Sequence, residues 1–560
     1  MIPLDNNLKT PIDYFLKWEK EQPNSTFLRQ PFGDTWTTLT YAEAGIEARK
    51  LAQGLYTIGV EPGDHVALLS KNCYHWILAD LAIMMAGCVS VPLYPSLDAD
   101  LLKVVLDKSD SNAIIVGKLD KWNEDKLAAV GDLPMVRAPH YEGNAKIEAG
   151  HDWEALVSAS TPIKEVHIPK LDDIWTIIFT SGTTGTPKGV VHTYHNIAAT
   201  SRNEELNHNA GILKAKDYRF FSFLPLNHIA ERAAVAGSAY LTGGSLSFAE
   251  NLSTFAKNLQ DTKPIFFFAV PRIWHKFQQK ILAQMPQKKL DRLLSIPIVS
   301  GMVKKKIQKA LGLQDTVCII TGASMTPESL KQWFRKIGLN LREGYGMTEN
   351  MGALACMPGS QHKPNTIGKA VANAECKIDP DTGEMLLKTP WTMQGYYKEP
   401  ELTAETIKDG WLHSGDKGIM DDEGFIKIVG RVKDTFKTAK GKFIVPTAIE
   451  EKFSQYGEID QICVAGNGIP QPIALVNLSE EGMKCNKEHL QACLMNALES
   501  VNGKLHGHEK LSSIIITKDI WSDENQMLTP TLKLKRGSIN DRYGDRMLSW
   551  CEDKECVIWE

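Results

Sequence analysis

The sequence predicts an α/β protein in which a large N-terminal region of layered helices and strands precedes a smaller α+β region. A chain of 560 residues is longer than one hydrophobic core usually supports. Helical and strand-like patterns alternate over the first four hundred residues, and the pattern changes near residue 431. We therefore expect an N-terminal domain at 1–431 and a C-terminal domain at 432–560.

The individual elements follow from the spacing of apolar residues. Tyr41 to Gly59 has helical spacing and ends on glycine, whereas His65 to Ser70 has the pattern of a strand. Trp76 to Pro95 is the longest apolar stretch, but Asp80 interrupts it, so it predicts a buried helix and strand rather than a membrane span. Leu101 to Gly117 repeats the helix-then-strand order.

The composition is that of an ordinary soluble globular protein, with 43% hydrophobic and 23% charged residues. The net charge of -4 argues against nucleic acid as the main partner. The ten cysteines include no CxxC pair, which favours free thiols in a reducing compartment. The N-terminal MIPLDNNLKTPIDYF lacks the basic start and apolar run of a signal peptide. We therefore expect a cytoplasmic protein.

Residues 180–189, TSGTTGTPKG, are suited to binding phosphate. They follow a short apolar stretch, Ile174 to Phe179, that predicts a buried strand. A glycine-rich loop leaving a strand can turn backbone N–H groups toward an anion, and its hydroxyls and Lys188 add donors and charge. The segment is not GxxxxGK(S/T), because Gly189 follows the lysine, so an ordinary kinase or ATPase is disfavoured. Taken alone, it is equally compatible with a linker.

The segment LREGYGMTEN, residues 341–350, brings an aromatic ring, a hydroxyl and a carboxylate close together. Tyr345 could stack on a nucleobase, and Thr348 could hydrogen-bond a phosphate. Glu349 could hold Mg²⁺, which prefers carboxylate and phosphate oxygens. A strand and turn near a helix start would explain the same residues without a ligand.

Two further segments contain charged residues that could face a nucleotide. In residues 410–434, Asp416 lies in a Ser-Gly-Asp turn, where its carboxylate could accept both hydroxyls of a ribose. Arg431 follows a predicted hairpin and could return to the same sugar, although an ordinary ion pair is also compatible. In LTPTLKLKR, residues 528–536, Lys533 would by default be a solvated surface lysine.

In this order the segments resemble motifs of the adenylate-forming superfamily, which includes acyl-CoA synthetases, luciferases and peptide-synthetase adenylation domains. TSGTTGTPKG resembles its phosphate loop, GYGMTE its adenine and magnesium segment, SGD its ribose-binding turn, GRVKD its hinge and TPTLK its C-terminal lysine motif. The resemblance extends from roughly Thr38 to Arg536. LPLNHIAER, AVPRIWHKF and LTPTLKLKR are most similar to the long-chain fatty acyl-CoA synthetase branch, although His195 stands where that branch often has arginine.

The resemblance implies the adenylate-forming enzyme fold, with a small mobile C-terminal domain, and a two-step reaction. A carboxylic acid, expected to be a long- or medium-chain fatty acid, attacks ATP in the presence of Mg²⁺ to give acyl-adenylate and pyrophosphate. The acyl group then passes to coenzyme A, and AMP leaves. The alternatives within the family are transfer to a carrier protein or another acceptor, and a coenzyme A ligase for aryl or short-chain acids.

The site residues are carried over motif by motif. The implied catalytic residues are Lys533, Thr348, Glu349 and His228, and the implied metal contacts are Thr183, Thr184 and Glu349. The implied nucleotide contacts are Thr180, Ser181, Gly182, Thr183, Thr184, Gly185, Lys188, Gly322, Ala323, Ser324, Glu343, Gly344, Tyr345, Gly346, Met347, Thr348, Asp416 and Arg431. Lys433 is the implied hinge, and Lys440 and Gly441 are the implied coenzyme A contacts.

Residues 275–310 carry nine Lys or Arg and one acidic residue, Asp291. The favoured interpretation is a solvated helix face. The other is a patch that draws in anionic substrates or makes weak peripheral contact with an anionic lipid surface, which would place the protein at the inner face of a membrane. Two non-ligase classes also remain: a lipid-binding protein without activity, and a conventional ATPase, which would release ADP rather than AMP. We assign no role to residues 537–560, and no oligomeric state.

Overall fold

The computed structural model describes residues 1–180, 187–529 and 533–560. Up to residue 431 its strands are β1 (Thr26–Phe32), β2 (Thr35–Thr40), β3 (His65–Leu69), β4 (Val89–Leu93), β5 (Ser111–Val116), β6 (Met135–Arg137), β7 (His151–Asp152), β8 (Ile174–Thr180), β9 (Lys188–Thr193), β10 (Arg219–Ser222), β11 (Ser245–Phe248), β12 (Phe266–Ala269), β13 (Cys318–Thr321), β14 (Leu341–Tyr345), β15 (Ala355–Cys356), β16 (Lys369–Ala370), β17 (Glu375–Ile378), β18 (Glu384–Lys388), β19 (Gly395–Tyr396), β20 (Ile407–Lys408), β21 (Trp411–Met420) and β22 (Ile426–Arg431). Beyond it are β23 (Phe436–Lys437), β24 (Phe443–Ile444), β25 (Ile459–Ala465), β26 (Ile473–Leu478), β27 (Ile514–Ile516) and β28 (Val557–Trp559).

The helices alternate with these strands. They are α1 (Pro11–Glu21), α2 (Tyr41–Thr57), α3 (Tyr74–Met85), α4 (Ala99–Lys108), α5 (Glu124–Val130), α6 (Trp153–Ala159), α7 (Tyr194–Asn207), α8 (Gly237–Thr242), α9 (Phe255–Thr262), α10 (Pro271–Gln284), α11 (Gln287–Leu294), α12 (Pro297–Leu311), α13 (Glu328–Lys336), α14 (Pro400–Thr406), α15 (Pro446–Glu450), α16 (Glu480–Lys484), α17 (Lys487–Asn502) and α18 (Arg536–Glu552). Ala230–Ala236 forms a π-helix, and Ile212–Lys214, Thr348–Asn350 and Glu451–Phe453 form 3₁₀ turns.

Two large sheets, both mainly parallel, build the N-terminal region. One has eight strands in the order β19-β9-β8-β4-β3-β5-β6-β7, and the other has nine in the order β16-β15-β14-β13-β12-β10-β11-β1-β2. A single hydrophobic cluster joins residues of both sheets and of α3, in which every residue from His75 to Met85 is buried. The carboxyl ends of parallel strands, where open α/β sheets usually bind ligands, carry several of the predicted site segments.

The helices and strands predicted between Tyr41 and Gly117 are confirmed. The apolar stretch that contains Asp80 forms the buried α3 followed by β4, and the flanking predictions correspond to α2, β3, α4 and β5. Helix α2 begins at a capping box, in which Thr40 accepts a hydrogen bond from the backbone N–H of Glu43 and the Glu43 side chain accepts one in return. Among the described residues, no helix combines the length and the apolar character that a bilayer crossing requires.

A buried ion pair holds the π-helix Ala230–Ala236 in place. The Arg232 guanidinium lies 2.6 Å from the Asp80 carboxylate, with both side chains at most 5% exposed. It also donates to the Thr176 hydroxyl at 2.5 Å and covers the ring of Trp175 at 4.2 Å. Because removing one partner of such a pair leaves an uncompensated buried charge, these contacts fix the helix against α3 and β8.

The C-terminal part is an α+β layer of its own. Strands β25, β26, β27 and β28 form one sheet, and β23 pairs with β24. Helices α15 and α17 cover one face of the four-stranded sheet, and α18 covers the other. Between this layer and the large sheets lies the antiparallel sheet β17-β18-β21-β20, with β22 paired to β21.

Candidate functional site

Most of the predicted site residues line one cavity of about 3470 Å³ between the large sheets and the C-terminal part. Those that line it are Thr180, Lys188, His228, Ala323, Ser324, Glu343, Gly344, Tyr345, Gly346, Met347, Thr348, Glu349, Asp416, Arg431, Lys433 and Lys533. The fold therefore brings segments from position 180 to position 533 to a single space.

Asp416 and Arg431 face each other across two antiparallel strands. They are register partners in β21 and β22, and the Arg431 Nε lies 2.9 Å from the Asp416 Oδ1. The Tyr345 hydroxyl donates to the other carboxylate oxygen at 2.5 Å. The hairpin predicted between the two residues is confirmed, and it presents a buried, preorganised carboxylate to the cavity. The charge of Asp416 in turn raises the pKa of Arg431, which stays fully protonated.

Glu384 supports the Ser-Gly-Asp turn from the neighbouring strand. Its carboxylate accepts a hydrogen bond from the backbone N–H of Gly415 at 2.8 Å and contacts His413 Nδ1 at 2.9 Å. These contacts fix the turn that carries Asp416. Glu384 was not among the predicted site residues, because only the pairing of β18 with β21 brings it to the turn.

The 3₁₀ turn Thr348–Asn350 is held from two sides. The Tyr396 hydroxyl donates to the Glu349 carboxylate at 2.8 Å, and His192 Nε2 contacts the Thr348 carbonyl oxygen at 2.7 Å. Burial lowers the pKa of His192 to about 4, so the ring is neutral near pH 7 and its Nε2–H donates to that carbonyl. Neither Tyr396 nor His192 was among the residues predicted for the site.

Lys188 and Thr180 are paired across the ends of β9 and β8, at the base of the predicted phosphate loop. The two strands pair antiparallel, and α7 follows β9 directly. The Lys188 ammonium lies 5.5 Å from the centre of the Tyr396 ring, and Tyr396 is the residue whose hydroxyl contacts Glu349. Five predicted loop residues fall outside the described part of the chain, namely Ser181, Gly182, Thr183, Thr184 and Gly185.

Close backbone packing explains the glycines beside the cavity. A Cβ on Gly346 would lie 2.1 Å from the Gly352 carbonyl carbon, and one on Gly322 would lie 2.6 Å from the Gly344 oxygen. Ala323 has a φ of +65°, a left-handed conformation that non-glycine residues rarely adopt. Gly322 and Ala323 therefore form a sharp turn directly after β13, where the resemblance places nucleotide contacts.

Glu343 has a second set of partners. Its buried carboxylate forms an ion pair with Lys331 of α13 and accepts a hydrogen bond from the Thr326 backbone N–H at 3.0 Å. Burial raises the pKa of Glu343, while Lys331 opposes that shift. These contacts attach α13 to β14, so the nucleotide contact implied for this residue remains a prediction.

His228 lies at the start of the π-helix, on the cavity wall. Its Nδ1 accepts a hydrogen bond from the Ala230 backbone N–H at 3.3 Å. Burial, with a smaller contribution from the positive charge of Lys533, lowers the pKa of His228 to about 4. The ring is therefore neutral near pH 7, and His228 and Lys533 line the same cavity.

Lys533 projects from the C-terminal part into the cavity, where its side chain is in contact with solvent. Its backbone N–H donates to the Thr529 hydroxyl at 3.0 Å. The cavity walls remove part of its hydration and lower its pKa, and Arg431 adds to this effect. The carboxylates of Asp416 and Glu349 act to raise the pKa of Lys533, so the charges of all four side chains influence one another.

Lys433 lines the cavity, whereas the turn that contains Lys440 and Gly441 lies further along the chain. Lys433 lies in the exposed turn between β22 and β23, where the chain passes from one sheet to the next. The turn 438–442 joins β23 and β24, and Gly441 there has a φ of +72°. Neither Lys440 nor Gly441, both described, lines the cavity, whereas Lys533 does.

The chain belongs to the family of AMP-binding enzymes, the adenylate-forming superfamily. The sequence model of the AMP-binding enzyme family matches residues 15–397, and that of its C-terminal domain matches residues 433–551. The resemblance and the fold class predicted from the sequence are thereby confirmed.

Individual relatives agree with this assignment. The chain is 26% identical to the long-chain-fatty-acid–CoA ligase FadD15 of Mycobacterium bovis over 94% of both chains. It resembles the adenylation domain of a carboxylate reductase from Mycobacterium chelonae, at a TM-score of 0.80 and 20% identity over 98% of this chain and 92% of that one. A solved o-succinylbenzoate CoA synthetase of Bacillus subtilis, in complex with ATP and magnesium, has a TM-score of 0.70 at 21% identity over 94% and 98% of the two chains. The likeness to the solved structures concerns the fold.

Proposed function

We propose that this chain joins a fatty acid to coenzyme A in two steps. ATP first converts the acid into an acyl-adenylate with release of pyrophosphate, and the acyl group then passes to coenzyme A with release of AMP. The observation that supports this most strongly is the position of Lys533 in the same cavity as Asp416, Arg431 and Glu349. The fatty-acid substrate is further supported by the relative named as a long-chain-fatty-acid–CoA ligase.

The first step is a problem of charge. A carboxylate oxygen of the acid attacks the α-phosphorus of ATP, so two anions must approach each other while the bond to pyrophosphate breaks. We assign to Lys533 the role of bridging the carboxylate and the α-phosphate, for which a compact charge on a flexible stem is suited. Its lowered pKa reflects incomplete hydration, which strengthens its attraction to an incoming anion.

The nucleotide would be held around the Asp416–Arg431 pair. Asp416 is proposed to accept the two ribose hydroxyls, and Tyr345 to lie against the base while its hydroxyl fixes Asp416. Glu349 is suited to Mg²⁺, because proteins usually hold magnesium with few carboxylates together with phosphate oxygens. The Tyr396 hydroxyl donates to one oxygen of the Glu349 carboxylate and thereby orients it. Bound Mg²⁺ would offset phosphate charge, with Thr183 and Thr184 as further proposed contacts.

An extension of the cavity suits an alkyl chain. Small side chains of the π-helix and α8 line it, together with residues of α7 and of the segment that follows α7. These lining residues are Ala230, Ala233, Ala234, Gly237, Ser238, Thr200, Ala210 and Ile212. The buried pair Arg232–Asp80 fixes the helix from behind, so the small face stays open toward the cavity.

Replacing Ala234 with phenylalanine is expected to shorten the preferred acid. The larger side chain fills part of this extension, and a misfit of this kind costs about 1–3 kcal/mol. We expect kcat/KM for hexadecanoate to fall roughly tenfold or more, while kcat/KM for hexanoate changes less than about threefold. The measurement is a chain-length series of both proteins, with Ala492→Phe on the exposed face of α17 as the control. An equal loss at every chain length would contradict the assignment of this space to the acyl chain.

The second step needs a different arrangement of the two proposed domains, 1–431 and 432–560. We propose that the C-terminal domain rotates about Lys433, withdraws Lys533 and brings the turn 438–442 to the carbonyl carbon. Gly441 would leave room for the pantetheine arm, and Lys440 would contact coenzyme A. The thiol then attacks the carbonyl, AMP leaves, and neutral His228 borders the path of the thiol.

Asp416→Asn is expected to weaken ATP use while leaving the fold intact. The substitution keeps the shape of the turn but removes the charge that holds Arg431 and accepts the ribose hydroxyls. A charge-assisted hydrogen bond contributes about 1.5–3 kcal/mol, so KM for ATP should rise roughly tenfold to a hundredfold. Steady-state kinetics at saturating acid measure the change, and Asp422→Asn at an exposed position nearby is the matched control. A KM for ATP equal to that of the unchanged protein would show that Asp416 does not bind the nucleotide.

A further inference from the structure

Helices α11 and α12 carry a concentration of positive charge that the proposed reaction does not use. Residues 275–310 include nine cations, namely Lys276, Lys280, Lys288, Lys289, Arg292, Lys304, Lys305, Lys306 and Lys309. In a chain whose net charge is -4, this segment is strongly positive. Within residues 1–180, 187–529 and 533–560, none of the nine forms an ion pair with a carboxylate. The charge is therefore available to a partner from outside the chain.

The tip between the two helices is apolar and exposed. Ile298 is 81% exposed, Met302 is 60% exposed and Ile296 is 45% exposed. Ile298 and Met302 are one turn apart on α12 and thus share a face. Lys305 and Lys309 continue that face toward the end of the helix. An apolar end followed by lysines on one exposed stripe differs from an ordinary solvated helix, whose outer face is polar throughout.

The tip belongs to firmly packed helices. Leu290 of α11 and Ile307 of α12 are buried in the same hydrophobic cluster, and both helices contribute to the core around β12 and β13. Helix α12 ends on Gly312 in a left-handed conformation, packed against the backbone of α9. The exposed isoleucines and methionine are therefore presented by a fixed scaffold.

We propose that this surface, Ile296, Ile298 and Met302 with the surrounding cations, docks the protein on an anionic lipid bilayer. The apolar side chains would enter the boundary between headgroups and acyl chains, and the lysines would contact lipid phosphates. A second copy of this chain is disfavoured, because two such cationic faces would repel each other. A nucleic acid would match the charge and would leave the apolar tip without a partner.

The same segment reaches the proposed site. Lys276 and Lys280 of α10, which leads directly into α11, line the cavity, together with Ile273. Docking through α11 and α12 would bring this cavity wall close to the bilayer, from which a fatty acid could enter. This purpose rests on the proposed function, whereas docking itself can be measured without any turnover.

Vesicle flotation tests the proposal with the full chain. The probes are vesicles of phosphatidylcholine alone and of phosphatidylcholine with an equal amount of phosphatidylglycerol. The charge variant is Lys305→Glu/Lys306→Glu, and the apolar variant is Ile298→Asn/Met302→Gln. The control is Lys504→Glu/Lys510→Glu, which makes the same change in net charge at exposed positions of the C-terminal part. Thermal unfolding and turnover of hexanoate, a water-soluble medium-chain acid, without vesicles verify that each variant is folded.

The unchanged protein and the control are expected to float with the anionic vesicles only, and added salt should release them. The charge variant should bind the anionic vesicles at least roughly tenfold more weakly, and the apolar variant should also bind more weakly. Absence of flotation by the unchanged protein, or an equal loss in the control, would overturn the proposal. If the variants instead changed the oligomeric state without lipid, a second copy would be the occupant. Failure of acid activation with flotation intact would count against the proposed function alone.

Discussion

Lys533→Ala is expected to abolish formation of the acyl-adenylate while largely sparing transfer of a supplied acyl-adenylate to coenzyme A. Lys533 faces Asp416, Arg431 and Glu349 in the cavity, and its positive charge is placed where the acid and ATP, both anions, must meet. Loss of one preorganised electrostatic group of this kind lowers a rate about a hundredfold to a thousandfold. Acid-dependent exchange of pyrophosphate into ATP measures the first step, and thioester formation from synthetic acyl-adenylate measures the second.

The appropriate control is Lys510→Ala, which removes an exposed lysine from the same domain. It should retain both half-reactions. If Lys533→Ala reduced the two half-reactions by the same factor, the lysine would serve the fold or a step common to both. The proposed division of labour would then be wrong.

Lys433→Pro is expected to give the opposite pattern, with the adenylate formed and the thioester blocked. Lys433 lies in the turn between β22 and β23, at the boundary of the two proposed domains. Proline fixes φ near -65°, so it removes the rotation that would withdraw Lys533 and bring Gly441 to the cavity. We expect the overall rate to fall roughly a hundredfold or more, as is usual when a required conformational step is prevented.

Lys433→Ala separates the backbone from the side chain. It removes the ammonium but leaves rotation about the turn unrestricted, so it should retain both half-reactions. An unchanged overall rate in Lys433→Pro would place the pivot elsewhere. A comparable defect in Lys433→Ala would assign the effect to the lost side chain.

The sequence predicted much of the fold because its signals are local. The apolar run around Asp80, the glycine at the end of α2 and the hairpin between Asp416 and Arg431 are each determined by residues close in the chain. The elements follow from helix and strand periodicity together with turn-forming residues. The motifs that indicated the superfamily are local in the same way, because each is a short run of neighbouring residues.

The supporting contacts could not be predicted, because they join residues distant in sequence. Tyr396 reaches Glu349 only because β19 pairs with β9, and Glu384 reaches the turn of Asp416 only because β18 pairs with β21. The ion pair of Glu343 with Lys331 likewise depends on how α13 packs on β14. No pattern in the neighbouring sequence identifies these residues as contacts of the site, because the contacts depend on how the strands pair.

One signal was present and was missed. Residues 537–560, to which the sequence analysis assigned no role, contain most of α18 and all of β28. Ile539, Tyr543, Met547 and Trp550 recur at helical spacing and are buried against the C-terminal sheet. Many charged residues lie between them, so the apolar stripe is narrow, but its period alone predicts the helix.

The central claim is tested most directly by measuring AMP and pyrophosphate release from the purified protein. The reaction contains ATP, Mg²⁺ and one acid from a panel of fatty, short-chain and aryl acids, each with and without coenzyme A. We expect AMP to form only with a long- or medium-chain fatty acid and at a rate that requires coenzyme A. Release of ADP would contradict the account. Acid-dependent pyrophosphate exchange on which coenzyme A has no effect would contradict the proposed acceptor and point to a carrier protein or another thiol.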